Sequence, residues 1–352
     1  MEKTFTRHAA SSLMHSSKKV VSTSIIKGLR EMTSALARRT FVLGLMTALA
    51  HMNVQAADPS RPIRLIVPTP PGSASDALAR AMTVPWSRTS GRPIVVENVV
   101  GAGATIGTSQ LVRAAKDGLT LGLISSNHTI NPWLYKIPYE RLQDITPIAM
   151  IGSVPGMLVA TNRVAANTPV ELARLSKSVT TPLAEGVVSG TAYQMASEVF
   201  KDQAGVTTNR IPYKGSAQII NDLLGGILDV AFVAAQAAAP HVAAGKLKGL
   251  AVTTPTRSEL APQIPTLIES GLPKYNVQVW IAIVGPAGLN IADVAARRKE
   301  VELALSDPEM KKAMQLQGVQ AISMSQAEMF PFLKKDLERN RVVVQRAGIK
   351  ID

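Results

Sequence analysis

Strand-like and helix-like patterns alternate along most of the chain, and that alternation predicts an α/β protein whose parallel sheet carries helices on both faces. Three observations carry the prediction. Apolar runs such as 62–68 and 183–188 leave through turn-forming residues. Each then enters a helix opened by a hydroxyl cap, as in "VPTPPGSASDALAR" (67–80) and "SGTAYQMA" (189–196). The balance of 46% hydrophobic and 18% charged residues over 352 positions is globular and sufficient for two separate cores.

The amino end is set aside before the elements are placed. Arg38 and Arg39 precede the short apolar run "FVLGLMTALA" (41–50), and "VQA" (54–56) offers small residues for cleavage. That order is the layout of a secretory signal peptide over 1–56, cut near Ala56, and it predicts an exported protein. The run is well short of the roughly 20 residues that a spanning helix needs. Because n-regions are short, Met32 is the expected start and 1–31 an upstream extension; the paired arginines also permit export of a folded chain. Eight of the 38 Lys/Arg and two of the 25 Asp/Glu fall in 1–56, so the formal charge drops from +13 to about +7. The remaining bases mingle with acids, as in "RRKEVELALSDPEMKK" (297–312), without interleaved aromatics. Nucleic acid is therefore not an expected partner, whereas mild attraction for small anions is. With no cysteine in the chain, disulfides, thiol catalysis and thiolate metal sites are excluded.

In order, strands are expected at 62–68, 93–99, 119–124, 147–151 and 156–161, with helices near 75–86 and 105–116 between the first three. "TPVELARLSK" then opens a second α/β unit: Thr168 caps, Pro169 takes the first position and Glu171 stands three beyond the cap. Strand 183–188, helix 191–204, strand 207–212, helix 215–225, strand 228–234, a helix near 237–244 and strand 247–253 follow. "VQVWIAIV" (277–284) reads as a further strand, and helices near 292–304, 307–317 and 326–347 close the chain.

In open α/β sheets ligands sit beyond the carboxyl ends of strands, where loops lead into helix starts. The Ser73/Asp76 and Thr191/Gln194 pairs are capping patterns at two such places, each after a glycine that gives the backbone freedom to turn. Bare N–H groups at a helix start attract anions, but one start contributes only about 0.3–2 kcal/mol against the roughly 8 that micromolar binding needs. A site here has to draw on both loops, and a small carboxylate suits it.

From about residue 61 to 352 the chain resembles the extracytoplasmic solute-binding receptors of tripartite tricarboxylate transporters, the Bug or TctC-like family. The resemblance runs through "RPIRLIVPTPPGSASDALAR", "VENVVGAGATIG", "DGLTLGLISSNHTINPWLY", "IPYKGSAQIINDLLGGILDVAF", "PHVAAGKLKGLAV" and "PTLIESGLP". It implies a type 2 periplasmic-binding-protein architecture: two α/β lobes, two crossover hinge strands near 158–161 and 277–280, and a ligand cleft between the lobes. Lobe 1 would comprise 57–159 plus 279–352 and lobe 2 160–278. It also implies a monomeric receptor, not an enzyme, that passes an organic acid to membrane permease subunits and needs no cofactor. The family pattern falls on Thr69, Ser73, Ala74, Ser75 and Asp76, on Ser125 and Asn127, and on Ser189, Gly190, Thr191 and Tyr193. The sequence departs from it at Thr69, Ser73, Gln194 and Val233, where an aromatic, a glycine, a histidine and an aspartate are common. Tyr193 is expected to supply the aromatic wall that position 69 lacks.

The competing reading is an NAD-dependent oxidoreductase using "GAGATIG" (101–107). Its spacing is G-x-G-x-x-x-G, and no acid ends a strand some 20 residues later. No G-x-S-x-G hydrolase motif occurs. After residue 56 only His128 and His241 remain, far apart, and both read as structural. No metal-ligand spacing appears. An effector domain of a transcription regulator would need a helix-turn-helix ahead of residue 60, where the export signal stands.

Overall fold

The alternating apolar residues of "IRLIV" form β1 (Ile63–Val67), in which Ile63, Leu65 and Val67 are fully buried. In the computed structural model, which describes residues 61–350, β1 feeds α1 (Ala74–Ser90). The Ser73 hydroxyl caps α1 by accepting from the Asp76 N–H, and Gly91 ends it in the left-handed conformation. β2 (Ile94–Asn98), α2 (Thr105–Val112) and β3 (Thr120–Ser125) follow, and β2 and β3 flank β1 in parallel. A four-residue helix, α3 (Asn127–Ile130), and a 3-10 turn come next, too short to leave a periodic signal. The expected signal peptide over 1–56, its start at Met32 and its cleavage near Ala56 lie outside the described residues.

β4 (Ile145–Val154) belongs to this first sheet, and β5 (Gly156–Ala160) belongs to a second. The second unit continues with α4 (Pro169–Ser178), β6 (Leu183–Val188), α5 (Ala192–Ala204), β7 (Thr208–Tyr213) and α6 (Ser216–Leu224). β8 (Val230–Ala234), α7 (Ala235–Ala243) and β9 (Lys248–Val252) complete it. β10 (Val279–Pro286), α8 (Ile291–Ser306), α9 (Pro308–Leu316), β11 (Gln320–Ala321) and α10 (Gln326–Ala347) return to the first sheet. The strand orders are β11-β4-β10-β3-β1-β2 and β7-β6-β8-β5-β9.

Both sheets are mixed, which corrects the expectation of a parallel sheet. β10 runs antiparallel to β3 and β4, and β5 antiparallel to β8 and β9. The cause is the passage between sheets: a strand arriving from the other sheet enters at the end where its neighbours finish. The first passage also differs from the expected 158–161. Only Pro155 separates β4 from β5, and Leu158–Ala160 pair wholly within the second sheet. Proline has no N–H to extend a ladder, so pairing with the first sheet stops there. The Pro155 carbonyl accepts from Ala235 N, while Gly156 donates to Thr253 Oγ1 and accepts from Thr253 N, each at 2.9 Å. The chain returns at Val279, which pairs with Val154.

This topology brings the strand ends together. Ser125, last in β3, pairs with Ile281, which pairs with Gly152 near the end of β4. Ala234, last in β8, pairs with Gly156, and β6 runs parallel to β8. The carboxyl ends of the parallel strands in both sheets therefore converge on the Val154–Gly156 passage. α10 serves both sides: Met329 and Leu333 are buried in a core beside the first sheet, Val344 in that of the second.

α2 packs directly on the loops leaving β1 and β2. A Cβ on Gly107 would lie 2.6 Å from the Val99 carbonyl oxygen and 2.8 Å from Pro68 Cβ. Gly107→Ala is expected to cost about 1–3 kcal/mol through overpacking, seen as a lower urea midpoint at unchanged slope.

Candidate functional site

The loops after β1 and β6 share one anatomy, Gly-Ser-Ala-Ser-Asp (72–76) and Gly-Thr-Ala-Tyr-Gln (190–194). In each the glycine takes a left-handed φ, +81° at Gly72 and +71° at Gly190. In each a hydroxyl caps the helix, and the side chain three residues on reaches back to the glycine. Gly72 N donates to Asp76 Oδ2 at 2.9 Å, and Gly190 N donates to Gln194 Oε1 at 2.8 Å. Ser73 Oγ accepts from Asp76 N at 3.2 Å, and Thr191 Oγ1 from Gln194 N at 3.5 Å. What remains unspent is the first pair of N–H groups in each helix, those of Ala74 and Ser75 and of Ala192 and Tyr193. Among the described residues none of these four has a hydrogen-bond partner. Two helices of 17 and 13 residues thus present bare N–H pairs, the arrangement that favours an anion.

The expected residues fall into two kinds. Asp76 does not present a free carboxylate: it is 3% exposed and both of its oxygens are engaged. Besides Gly72, Arg80 Nε donates to Oδ2 at 3.0 Å and Asn98 Nδ2 to Oδ1 at 2.9 Å. The Arg80 guanidinium, with the Gly72 and Asn98 donors and against the cost of burial, holds the Asp76 carboxyl down to about 2. Its work is to shape the loop. Asn98 also donates to the Thr69 carbonyl, and the Thr69 and Ser73 hydroxyls are 2.8 Å apart. Sequence reasoning passed over Asn98 and Arg80; the trace left in the sequence was a polar residue closing the apolar strand "IVVEN".

Ser125 ends β3 and half-buried Asn127 opens α3, one strand over from β1. Ser126, between them, was not singled out, yet its hydroxyl is buried without a partner. In the second unit Ser189 is exposed. The Tyr193 ring lies against Gly156, with Cδ1 3.2 Å from the place of a Cβ there. That sets the ring beside the passage where the strand ends converge, and burial pushes its phenol upward. His128, read from sequence as a loop histidine, is buried. It stacks on Tyr139 with ring centroids 5.9 Å apart, its Nε2 is 2.8 Å from the Arg141 carbonyl, and burial pushes it down to about 4. It is a neutral structural residue. His241 lies in the last turn of α7.

The glycines of 101–107 are consumed by packing. A Cβ on Gly103 would sit 2.7 Å from the Tyr135 ring, and Gly107 rides on Val99 and Pro68. Among the described residues no group of three His, Asp or Glu could hold a metal, and no helix is long and apolar enough to cross a membrane. A cavity of about 230 Å³ touches Ser189 and Gln194 and is rimmed by Arg210 and Lys350. A larger one, about 570 Å³, lies between α5, β7 and α10, lined by Val199, Lys201, Val206, Arg339 and Val343, and includes none of the expected residues. Size does not select the site; strand-end topology and unspent donors do.

Residues 78–349 match the TctC family, described as the tripartite tricarboxylate transporter family receptor. Protein BugT of Bordetella pertussis is 31% identical over 323 residues, covering 90% of this chain and 99% of BugT. The structure of periplasmic binding protein BugD is 30% identical with a TM-score of 0.66, covering 83% of this chain and 99% of BugD. An R. palustris protein solved with adipate is 27% identical with a TM-score of 0.69, covering 84% of this chain and all of that one.

Asp76 links the first loop to pH. Its folded carboxyl titrates near 2 against an ordinary 3.8. The stabilisation is therefore present in full above about pH 4 and lost as pH falls through about 2. Asp76→Asn is expected to be about 1–3 kcal/mol less stable at pH 7, and the gap should close between pH 4 and pH 2 in paired urea titrations.

Proposed function

The chain belongs to the tripartite tricarboxylate transporter receptor family, and from that premise we propose that it captures a small organic acid by its carboxylate between the two sheets and presents it, in the periplasm, to the membrane subunits of a tripartite transporter. The observation that carries this reading is the pair of bare N–H sets, Ala74/Ser75 and Ala192/Tyr193, on strand ends that converge at Pro155. Neutral donors from Ser73, Ser125, Asn127 and Ser189 complete a site for an oxygen-rich anion, while the Thr191 hydroxyl, which donates to the Val188 carbonyl at 2.7 Å, shapes the second loop. The adipate in the R. palustris relative supports a dicarboxylate, one carboxyl for each helix start.

Each start contributes at most about 2 kcal/mol, so micromolar affinity at about 8 requires the loops to act together. Binding therefore goes with closure of the two units about Pro155 and Val279. β8 ends in Phe232, Val233 and Ala234, which places no carboxylate there for an ammonium group. Plain carboxylic acids fit better than amino acids. Tyr193, beside Gly156, forms the apolar wall along the acid's methylene chain.

A thermal-shift screen of refolded, ligand-free protein against mono-, di- and tricarboxylates, amino acids and NAD tests the reading. A hundredfold excess over Kd adds about 2.7 kcal/mol, and the expected result is a rise with one or more acids. A rise with NAD alone would sink the receptor reading. Tyr193→Ser should weaken acid binding about tenfold by calorimetry, as loss of one aromatic contact surface predicts; unchanged affinity would remove Tyr193 from the site.

A further inference from the structure

Asp336 lies on α10, outside every residue assigned to the site, and is 2% exposed. Its Oδ2 accepts from Thr129 Oγ1 at 2.5 Å, Trp280 Nε1 at 3.0 Å and Asn340 Nδ2 at 3.3 Å, and its Oδ1 accepts from Arg339 Nη2. These donors come from three elements: α3, β10 and α10 itself. Thr129 stands two residues beyond Asn127. Its N–H donates to the Ser126 carbonyl at 3.1 Å, and the Ser126 N–H donates to the Trp280 carbonyl at 3.0 Å. Two of the buried carboxylate's four partners, Thr129 and Trp280, therefore also hold the backbone of the Ser125–Asn127 turn.

The same stretch of α10 grips the second passage. The Leu337 carbonyl accepts from Trp133 Nε1 at 3.1 Å, and Arg339 Nη1 donates to the Asn276 carbonyl at 2.6 Å, three residues before β10. Beyond it, Val343, Val344 and Ala347 pack in the second core, and Arg346 pairs with Asp202 of α5. A buried carboxylate is a poor way to gain stability, since apolar residues of similar volume often do as well. What it supplies that a leucine lacks is directional bonding that fixes three elements in one register.

We propose that Asp336 is a positioning residue for the acid-binding site. It fixes the Ser125–Asn127 turn to a helix whose last turns are embedded in the second core, so that displacement of that unit reaches the turn. This rests on Ser125 and Asn127 being ligand contacts.

Hydrogen exchange of the ligand-free full chain tests the clamp without reference to any ligand. Asp336→Asn keeps the shape but turns an N–H₂ toward donors, and exchange over 125–133 should quicken at least tenfold. Thr129→Val should do the same, the double variant should go no further, and Thr129→Ser should regain protection. Leu333→Ala, a buried apolar change on the same helix, should lower the melting temperature without selectively loosening 125–133. Adipate affinity should fall about tenfold in Asp336→Asn and stay near wild type in Leu333→Ala. Equal loosening in Asp336→Asn and Leu333→Ala, or none at 125–133 in Asp336→Asn, would overturn the proposal. If adipate and related acids fail to bind the wild-type chain, the ligand reading fails, and the exchange comparison still decides the clamp.

Discussion

One residue of backbone, Pro155, sets the geometry on which the rest depends. A strand that crosses between sheets with a single intervening residue must leave one at its finish and enter the other beside its neighbours' finish. The strand ends of both units are then brought to one place, and so are the loops and helix starts that follow them. The proline fixes φ and withholds an N–H, while Ala235 bonds its carbonyl and Thr253 bonds Gly156 after it. Nothing in the loops themselves sets the direction of the strand ends that lead into 72–76 and 190–194; the crossing does.

Given that placement, both loops solve the same problem in the same way. A helix start leaves several donors unsatisfied, and each loop spends some on itself and leaves two. The spending differs in charge. At 72–76 the group reaching back to glycine is a carboxylate held by Arg80; at 190–194 it is the neutral amide of Gln194. An ionised group beside an anion would repel it, and Asp76 avoids this because Arg80 neutralises it and its oxygens are fully engaged. The field at the bare N–H groups is left to the helix dipoles.

Much of this was legible in the sequence because it is local. Capping pairs, the succession of strands and the 326–347 helix follow from periodicity and turn chemistry within a few residues, although β4, expected over 147–151, runs Ile145–Val154. The two capped loops were legible for the same reason, since Gly-Ser-x-x-Asp and Gly-Thr-x-x-Gln announce themselves. What escaped was non-local. Asn98 matters only because β2 lies beside β1, Asp336 only because α10 lies under α3 and β10, and the antiparallel entries only because the chain changes sheets. α3 and β11, four and two residues long, carry too little pattern to be read at all. The Ser126 hydroxyl was missed although its neighbours on both sides were named, because burial of one residue in a turn leaves no periodic trace.

The C-terminal helix has the remaining part in the mechanism. Two crossings alone would let one unit swing about the other, but α10 is bonded to the first unit through Asp336 and Leu337 and to the second through Arg346 and the Val343–Val344 packing. Further bonds bridge the other flank of the passage, from Gln236 to the Leu316 carbonyl and from Gln320 to the Arg257 carbonyl. In the closure proposed above, bonds on both flanks of the passage would oppose twisting of one unit against the other. Neutral donors make that restriction useful. On the proposed reading, short-range hydrogen bonds would gain their strength only when both loops reach the acid together and exclude water from it, which would tie affinity to one relative position of the two units.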